Sequence, residues 1–369
     1  MKNFTLLLTS LLLVACALTA PLTQGAETPT VAPAAATESA PTATLAAALP
    51  PIQPPAGQTP FGKPCGDGVC QGPENAQNCP ADCSTIPSPA GRGTGGEGNE
   101  YTVTNPSSGA ALYVAVFYPA GWDGQTKLPT LVLVPGGSGD SGAFLKQNPS
   151  GSTVDVINQA GYAAVIFDPD GRGKSGGTEN YNGFIQQDGL AEVIRFAATL
   201  PGVDSSNIGL VTFSYGITMG AGALARHPDP STGSGQALPV KFLIDWEGPA
   251  NRNDTGGCDG ARRGHLKDVA SCTDESFWAE REASTFIGQI RVPYQRIQSQ
   301  TDHVQPDNAH AILMVNNAVS GGVPWVRLNN ETPNQTYDPN NPPAMLPDNV
   351  LDRQQDRFIV QYAAELFNR

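Results

Sequence analysis

The chain has 369 residues and a formal net charge of -13. That length accommodates one large α/β domain with smaller attachments, and so acidic a balance argues against nucleic acid or an anionic membrane surface as an electrostatic partner. The 33 prolines and 41 glycines are numerous for a compact domain, and the prolines crowd the front, separating a tail-like beginning from a folded remainder.

Residues 1–15 read as a signal peptide. Lys2 supplies a weak positive start, and Phe4 to Ala15 is an apolar stretch too short to span a bilayer. It ends in Leu13-Val14-Ala15-Cys16, which resembles the bacterial lipobox. The resemblance implies acylation of Cys16 as the new N-terminus. The protein would then be an exported lipoprotein, periplasmic or at the cell surface, held at a membrane by acyl chains alone. A plain secretory peptide cleaved further on, near Ala26, is the alternative. Residues 16–60, rich in Ala, Thr and Pro, read as a disordered tether.

Seven cysteines leave six once Cys16 is set aside, an even number suited to disulfides in an oxidising compartment. Cys65, Cys70, Cys79 and Cys83 crowd into a module at 61–84 and allow three pairings. Cys258 and Cys272 are expected to pair with each other. The module resembles short Cys-rich units near the N-termini of exported bacterial proteins. Asp67, Glu74 and Asp82 offer calcium the hard oxygen ligands it takes, although Asp-Gly and Pro-x-Asp are also simply good turns. Zinc is a weaker rival, because no histidine lies nearby. No other cofactor is expected. Residues 85–99 form a Gly-rich linker.

From Glu100 to Arg369 strands and helices alternate, the pattern of a mostly parallel sheet covered by helices on both faces. Strands are expected at Ala111–Tyr118, Thr130–Val134, Ala163–Phe167, Asn207–Phe213, Lys241–Asp245, Tyr294–Gln298 and Trp325–Leu328. Helices are expected at Thr153–Gln159, Asp188–Leu200, Ile217–Arg226, Asn308–Val319 and Arg353–Phe367. Thr212-Phe213-Ser214-Tyr215-Gly216 joins an apolar strand to a helix of small residues. A serine on so sharp a turn is a nucleophile elbow, with helix N-terminal amides beside its hydroxyl. Gly216 is as small as the turn requires; Thr212 is larger than the usual glycine.

The order of these pieces resembles the α/β-hydrolase fold with its eight-stranded sheet, over about 270 residues. Pro135-Gly136-Gly137-Ser138-Gly139 stands where that family carries its oxyanion loop. Asp168-Pro169-Asp170-Gly171-Arg172-Gly173-Lys174-Ser175-Gly176 is similar to its Arg-Gly-x-Gly-x-Ser loop. Leu200-Pro201-Gly202-Val203-Asp204 is similar to the dienelactone-hydrolase and prolyl-oligopeptidase branch. The resemblance implies Ser214 as nucleophile, with the N–H groups of Tyr215 and Gly137 as oxyanion donors. It implies Asp302, in Gln300-Thr301-Asp302-His303-Val304, as the acid that orients a histidine. Glu247, at the end of the preceding strand, is a second candidate acid.

The base is harder to place. The family's histidine follows the last strand, where this chain reads Leu328-Asn329-Asn330-Glu331. Of His227, His265, His303 and His310, only His303 stands well in the expected site loop, and side chains adjacent in sequence usually diverge. Two readings follow. One is a membrane-tethered serine hydrolase acting on a small-molecule ester or acyl substrate. The other is a catalytically degenerate hydrolase fold that serves as a binding module.

Overall fold

The computed structural model describes residues 98–147, 151–227, 237–347 and 355–369, all within the compact unit Gly57–Arg369. The expected signal peptide, Cys16, the 16–60 tether, the Cys-rich module and its candidate calcium ligands lie outside the described residues, as does the Gly-rich linker up to residue 97; Asn99, expected in that linker, opens the first strand. Among the described residues no helix is long and apolar enough to cross a membrane.

Eight strands form one sheet: β1 (Asn99–Thr104), β2 (Ala111–Phe117), β3 (Leu128–Val134), β4 (Ala163–Phe167), β5 (Val203–Phe213), β6 (Phe242–Trp246), β7 (Tyr294–Ile297) and β8 (Val326–Leu328). Their spatial order is β1-β2-β4-β3-β5-β6-β7-β8. The β1–β2 and β2–β4 pairs are antiparallel, and every pair from β4 to β8 is parallel. This is the α/β-hydrolase fold. β1 was not among the expected strands. The helices match expectation to within a few residues, except that Phe184–Ala197 begins a turn before Asp188.

Side chains of β3 alternate between two cores because a strand's period is two. Val132 and Val134 join Val114, Leu210 and Leu243 on one face, under the helices Phe184–Ala197, Gly216–Arg226 and Ala309–Ser320. Leu131 and Leu133 join Ile166, Val211 and Ile244 on the other, with Thr153–Gln159 and Gln355–Phe367. A strand buried on both faces needs a continuous apolar run, which Leu131–Val134 supplies. All four are fully buried, so Leu133→Ala is expected to cost about 2–5 kcal/mol.

Registers Thr212↔Asp245, Phe213↔Trp246 and Trp246↔Ile297 bring the carboxyl ends of β5, β6 and β7 level. The ladder runs one residue past each strand: Ser214 N–H donates to Trp246 O at 2.8 Å, and Glu247 N–H donates to Ile297 O at 3.0 Å. Ser214, Glu247 and the loop after β7 therefore share one edge, the edge at which open α/β sheets bind ligands.

Candidate active site

Ser214 has φ +49, a left-handed conformation that is uncommon for a non-glycine residue. The elbow is tight because β3 ends beside it. A Cβ on Gly216 would stand 2.7 Å from Pro135 O and 2.9 Å from Val134 O, so only glycine fits. The bulk of Thr212 is accommodated by Gly220, where a Cβ would stand 2.4 Å from the Thr212 Cγ2 methyl.

His303 reaches the elbow. Its Nε2 lies 2.9 Å from Ser214 Oγ, and its Nδ1 lies 2.8 Å from Glu247 Oε2. The consistent proton placement has Nδ1–H donating to Glu247 and Nε2 accepting from the serine hydroxyl. Trp246 stacks on the imidazole, with ring centroids 4.7 Å apart. Glu247 is itself buried and has φ +48. Its Oε1 accepts from Ser299 N–H at 3.0 Å and from the Ser299 hydroxyl, and its Oε2 also accepts from His303 N–H at 3.3 Å.

Asp302 does not occupy the position expected of it. Its Oδ1 stands 3.5 Å from His303 Nδ1, and its Oδ2 lies 3.2 Å from His310 Nε2. Oδ1 also accepts the Val304 and Gln305 N–H groups at 2.8 and 2.7 Å. Burial opposes ionisation of Asp302, but His310 and these two amides outweigh it and hold the carboxyl well below its ordinary range. Adjacent side chains diverge here as geometry demands: Asp302 turns in toward His310 while His303 turns to the serine. The better-placed acid is the second candidate, Glu247.

The remaining histidines are placed as follows. His227 caps the C-terminal end of the elbow helix and lies 3.1 Å from Asp188. His265 is exposed but lines the cleft above Ser214. The seat after β8 is taken by Asn329, whose side chain bonds Gln298 N–H at 2.9 Å and Gln298 O at 2.9 Å.

Gly137 has φ +55 and lines the same cleft as Ser214 and Tyr215. Its loop is anchored from behind. Buried Arg172 donates to Gly137 O at 3.1 Å, pairs with Glu179 at 2.6 Å and donates to Asn182 Oδ1 at 2.8 Å. Asn182 Nδ2 in turn donates to Tyr215 O at 2.7 Å. One guanidinium, through Asn182, thus ties the loop of Gly137 to Tyr215, the residue that precedes the helix Gly216–Arg226. Sequence reading singled out Arg172 only as part of a loop motif. Glu179 and Asn182 carried no signal.

The ligand atoms of Glu247, Asp302 and His303 lie within 4.8 Å of one another, close enough to share a cation. Both carboxylates already have hydrogen-bond partners: Glu247 meets Ser299 and His303, and Asp302 accepts the Val304 and Gln305 N–H groups and the Gln298 side-chain amide.

The cleft has a volume of about 340 Å³, at the small end of ligand pockets. One wall is the excursion between β6 and β7, closed by the Cys258–Cys272 disulfide, as the sequence led us to expect.

No family model matches the sequence, and no curated protein matches it. Solved structures do resemble the chain in fold. An acylaminoacyl peptidase from Pyrococcus horikoshii superposes with a TM-score of 0.51 at 15% identity, over 74% of this chain and 41% of its own. A protein described as a dipeptidyl aminopeptidase IV, from Bacteroides ovatus, gives 0.52 at 16% identity, over 74% and 35%. An esterase from Pyrococcus furiosus gives 0.51 at 15% identity, over 74% and 90%. The chain therefore spans well under half the length of the two peptidases and nearly all of the esterase. At such identity the likeness establishes the α/β-hydrolase fold alone.

Proposed function

We propose that the protein is a serine hydrolase acting on an ester or related acyl bond. One observation carries the reading: Ser214 Oγ, His303 and Glu247 stand in a single hydrogen-bonded line, 2.9 Å and then 2.8 Å long. A serine hydroxyl is a weak nucleophile until a neighbour takes its proton, and His303 Nε2 is within reach to do so. Oγ attacks the acyl carbon as its proton passes to Nε2. The N–H groups of Tyr215 and Gly137 receive the developing oxyanion. The imidazolium, steadied by Glu247, then protonates the departing alkoxide, and water releases the acyl group by the same steps in reverse order of partners.

The protein is further proposed to work outside the cytoplasm, tethered through Cys16. The Cys258–Cys272 disulfide supports an oxidising compartment. The catalytic reading is tested by turnover of p-nitrophenyl butyrate. The wild type is expected to hydrolyse it and Ser214→Ala to lose several orders of magnitude. A wild type that is inert to aryl esters yet holds a ligand in the cleft would favour the binding module.

A further inference from the structure

We propose that the substrate presents an uncharged, apolar acyl group of moderate length, received by a wall that the Cys258–Cys272 disulfide holds over Ser214. This rests on the hydrolase reading above. The wall is the loop 258–272, whose short helical turn Leu266–Asp268 leads to Val269. Leu266 and Val269 line the cleft from this side, Val304 lines it from the residue after His303, and Pro249 and Thr255 complete the surface. Among the described residues five large hydrophobic side chains are exposed, and two of them are Val269, at 47%, and Val304, at 37%. Exposed apolar side chains that line one concave site point to an apolar ligand.

The wall is built to keep its shape. The Gln305 side chain donates to Asp254 O at 2.7 Å and to Arg263 O at 3.0 Å, so the loop that carries His303 is bolted to the disulfide loop. Arg262 reaches Asp254, Asp259 and Asp307 at 3.0, 2.6 and 3.2 Å. Trp278, fully buried, donates its indole N–H to Ser271 O at 2.9 Å. Asp254 faces the cleft, but its carboxylate is taken by Arg262 and by the Ala250 and Asn251 N–H groups, both at 3.2 Å. Its charge is therefore already paired within the wall. A pocket fixed before binding spends little free energy on ordering itself and discriminates by the apolar surface it covers.

The test measures kcat/KM on p-nitrophenyl esters from acetate to dodecanoate, alongside the half-ester of succinate and a peptide p-nitroanilide. Each methylene that the wall covers should raise kcat/KM about three- to four-fold. We expect hexanoate or octanoate to exceed acetate at least ten-fold, with longer chains gaining nothing once the cleft is full. Val269→Asp, a change at an exposed side chain that leaves the fold intact, should cut the octanoate-to-acetate ratio at least ten-fold. Cys258→Ser with Cys272→Ser should lower the ratio in the same direction. A flat chain-length profile with measurable acetate turnover overturns this inference and leaves the hydrolase reading standing. Preference for the succinate half-ester would mean that Arg263 and His265, exposed and lining the same cleft, read a charge instead, and preference for the anilide would mean a peptide substrate. Either overturns it. No turnover of any substrate overturns both.

Discussion

Glu247 Oε2 holds His303 Nδ1 at 2.8 Å from the end of the neighbouring strand, and both Glu247 and Ser214, 2.9 Å from His303 Nε2, adopt left-handed backbone conformations. Two strained turns at adjacent strand ends place Ser214 and Glu247 in register on either side of the His303 imidazole. Their strain is sustained by ladder bonds that continue through both residues.

The two carboxylates near His303 can be separated by substitution. Glu247→Gln removes the charge and can turn an amide donor toward Nδ1, favouring the wrong imidazole tautomer, and should lower kcat by roughly 10³- to 10⁴-fold with little change in KM. Asp302→Asn should cost less than about ten-fold in kcat while lowering Tm, since it loses the pairing with buried His310. Steady-state kinetics with thermal melts on both variants checks this. The opposite ranking in kcat would return the acid role to Asp302.

A steric pair explains why a threonine is tolerated at the elbow. Gly220→Ala drives a new methyl into Thr212 Cγ2 and should destabilise by about 1–3 kcal/mol. Thr212→Ser removes that methyl and should recover most of the loss in the double variant, a coupling that denaturant titration of the four proteins would reveal. Additive effects would mean the two side chains do not meet.

The fold and much of the site were legible because their signals are local. Apolar runs bounded by turns marked the central strands, and a serine between strand and small-residue helix marked the elbow. β1 was missed because Asn99–Thr104 is an edge strand in which only Val103 is buried, so it carries no apolar run. Which of the two candidate carboxylates lies closer to His303 Nδ1 could not be read from the sequence, because that choice is not local. Asp302 precedes His303 in sequence, yet His310, eight residues on, captures it, while Glu247 arrives from 56 residues away. The Arg172–Asn182–Tyr215 link and the lining of the cleft by Val269 likewise exist only once distant segments meet.

Stability should carry a signature of Asp356. Burial raises its carboxyl from 3.8 to about 6, against a weak opposing bond from Thr153. The folded state thus holds this proton more tightly than the unfolded chain. Stability from this group is full below pH 3.8 and falls as pH rises through about 6. Asp356→Asn should remove that slope and stabilise the protein at pH 8 by up to about 3 kcal/mol. Urea unfolding of both proteins at pH 4 and pH 8 gives the comparison. A variant less stable than wild type at pH 8 would show that the ionised carboxylate has a partner there.

The central claim is that Ser214 is an activated nucleophile, and labelling with a fluorophosphonate followed by peptide mass mapping tests it most directly. The wild type should form one adduct per chain, on the peptide that contains Ser214. Ser214→Ala should form none, and His303→Ala should label at least 100-fold more slowly. A folded wild type that leaves Ser214 unlabelled, or a His303→Ala variant that labels at the wild-type rate, would contradict the account.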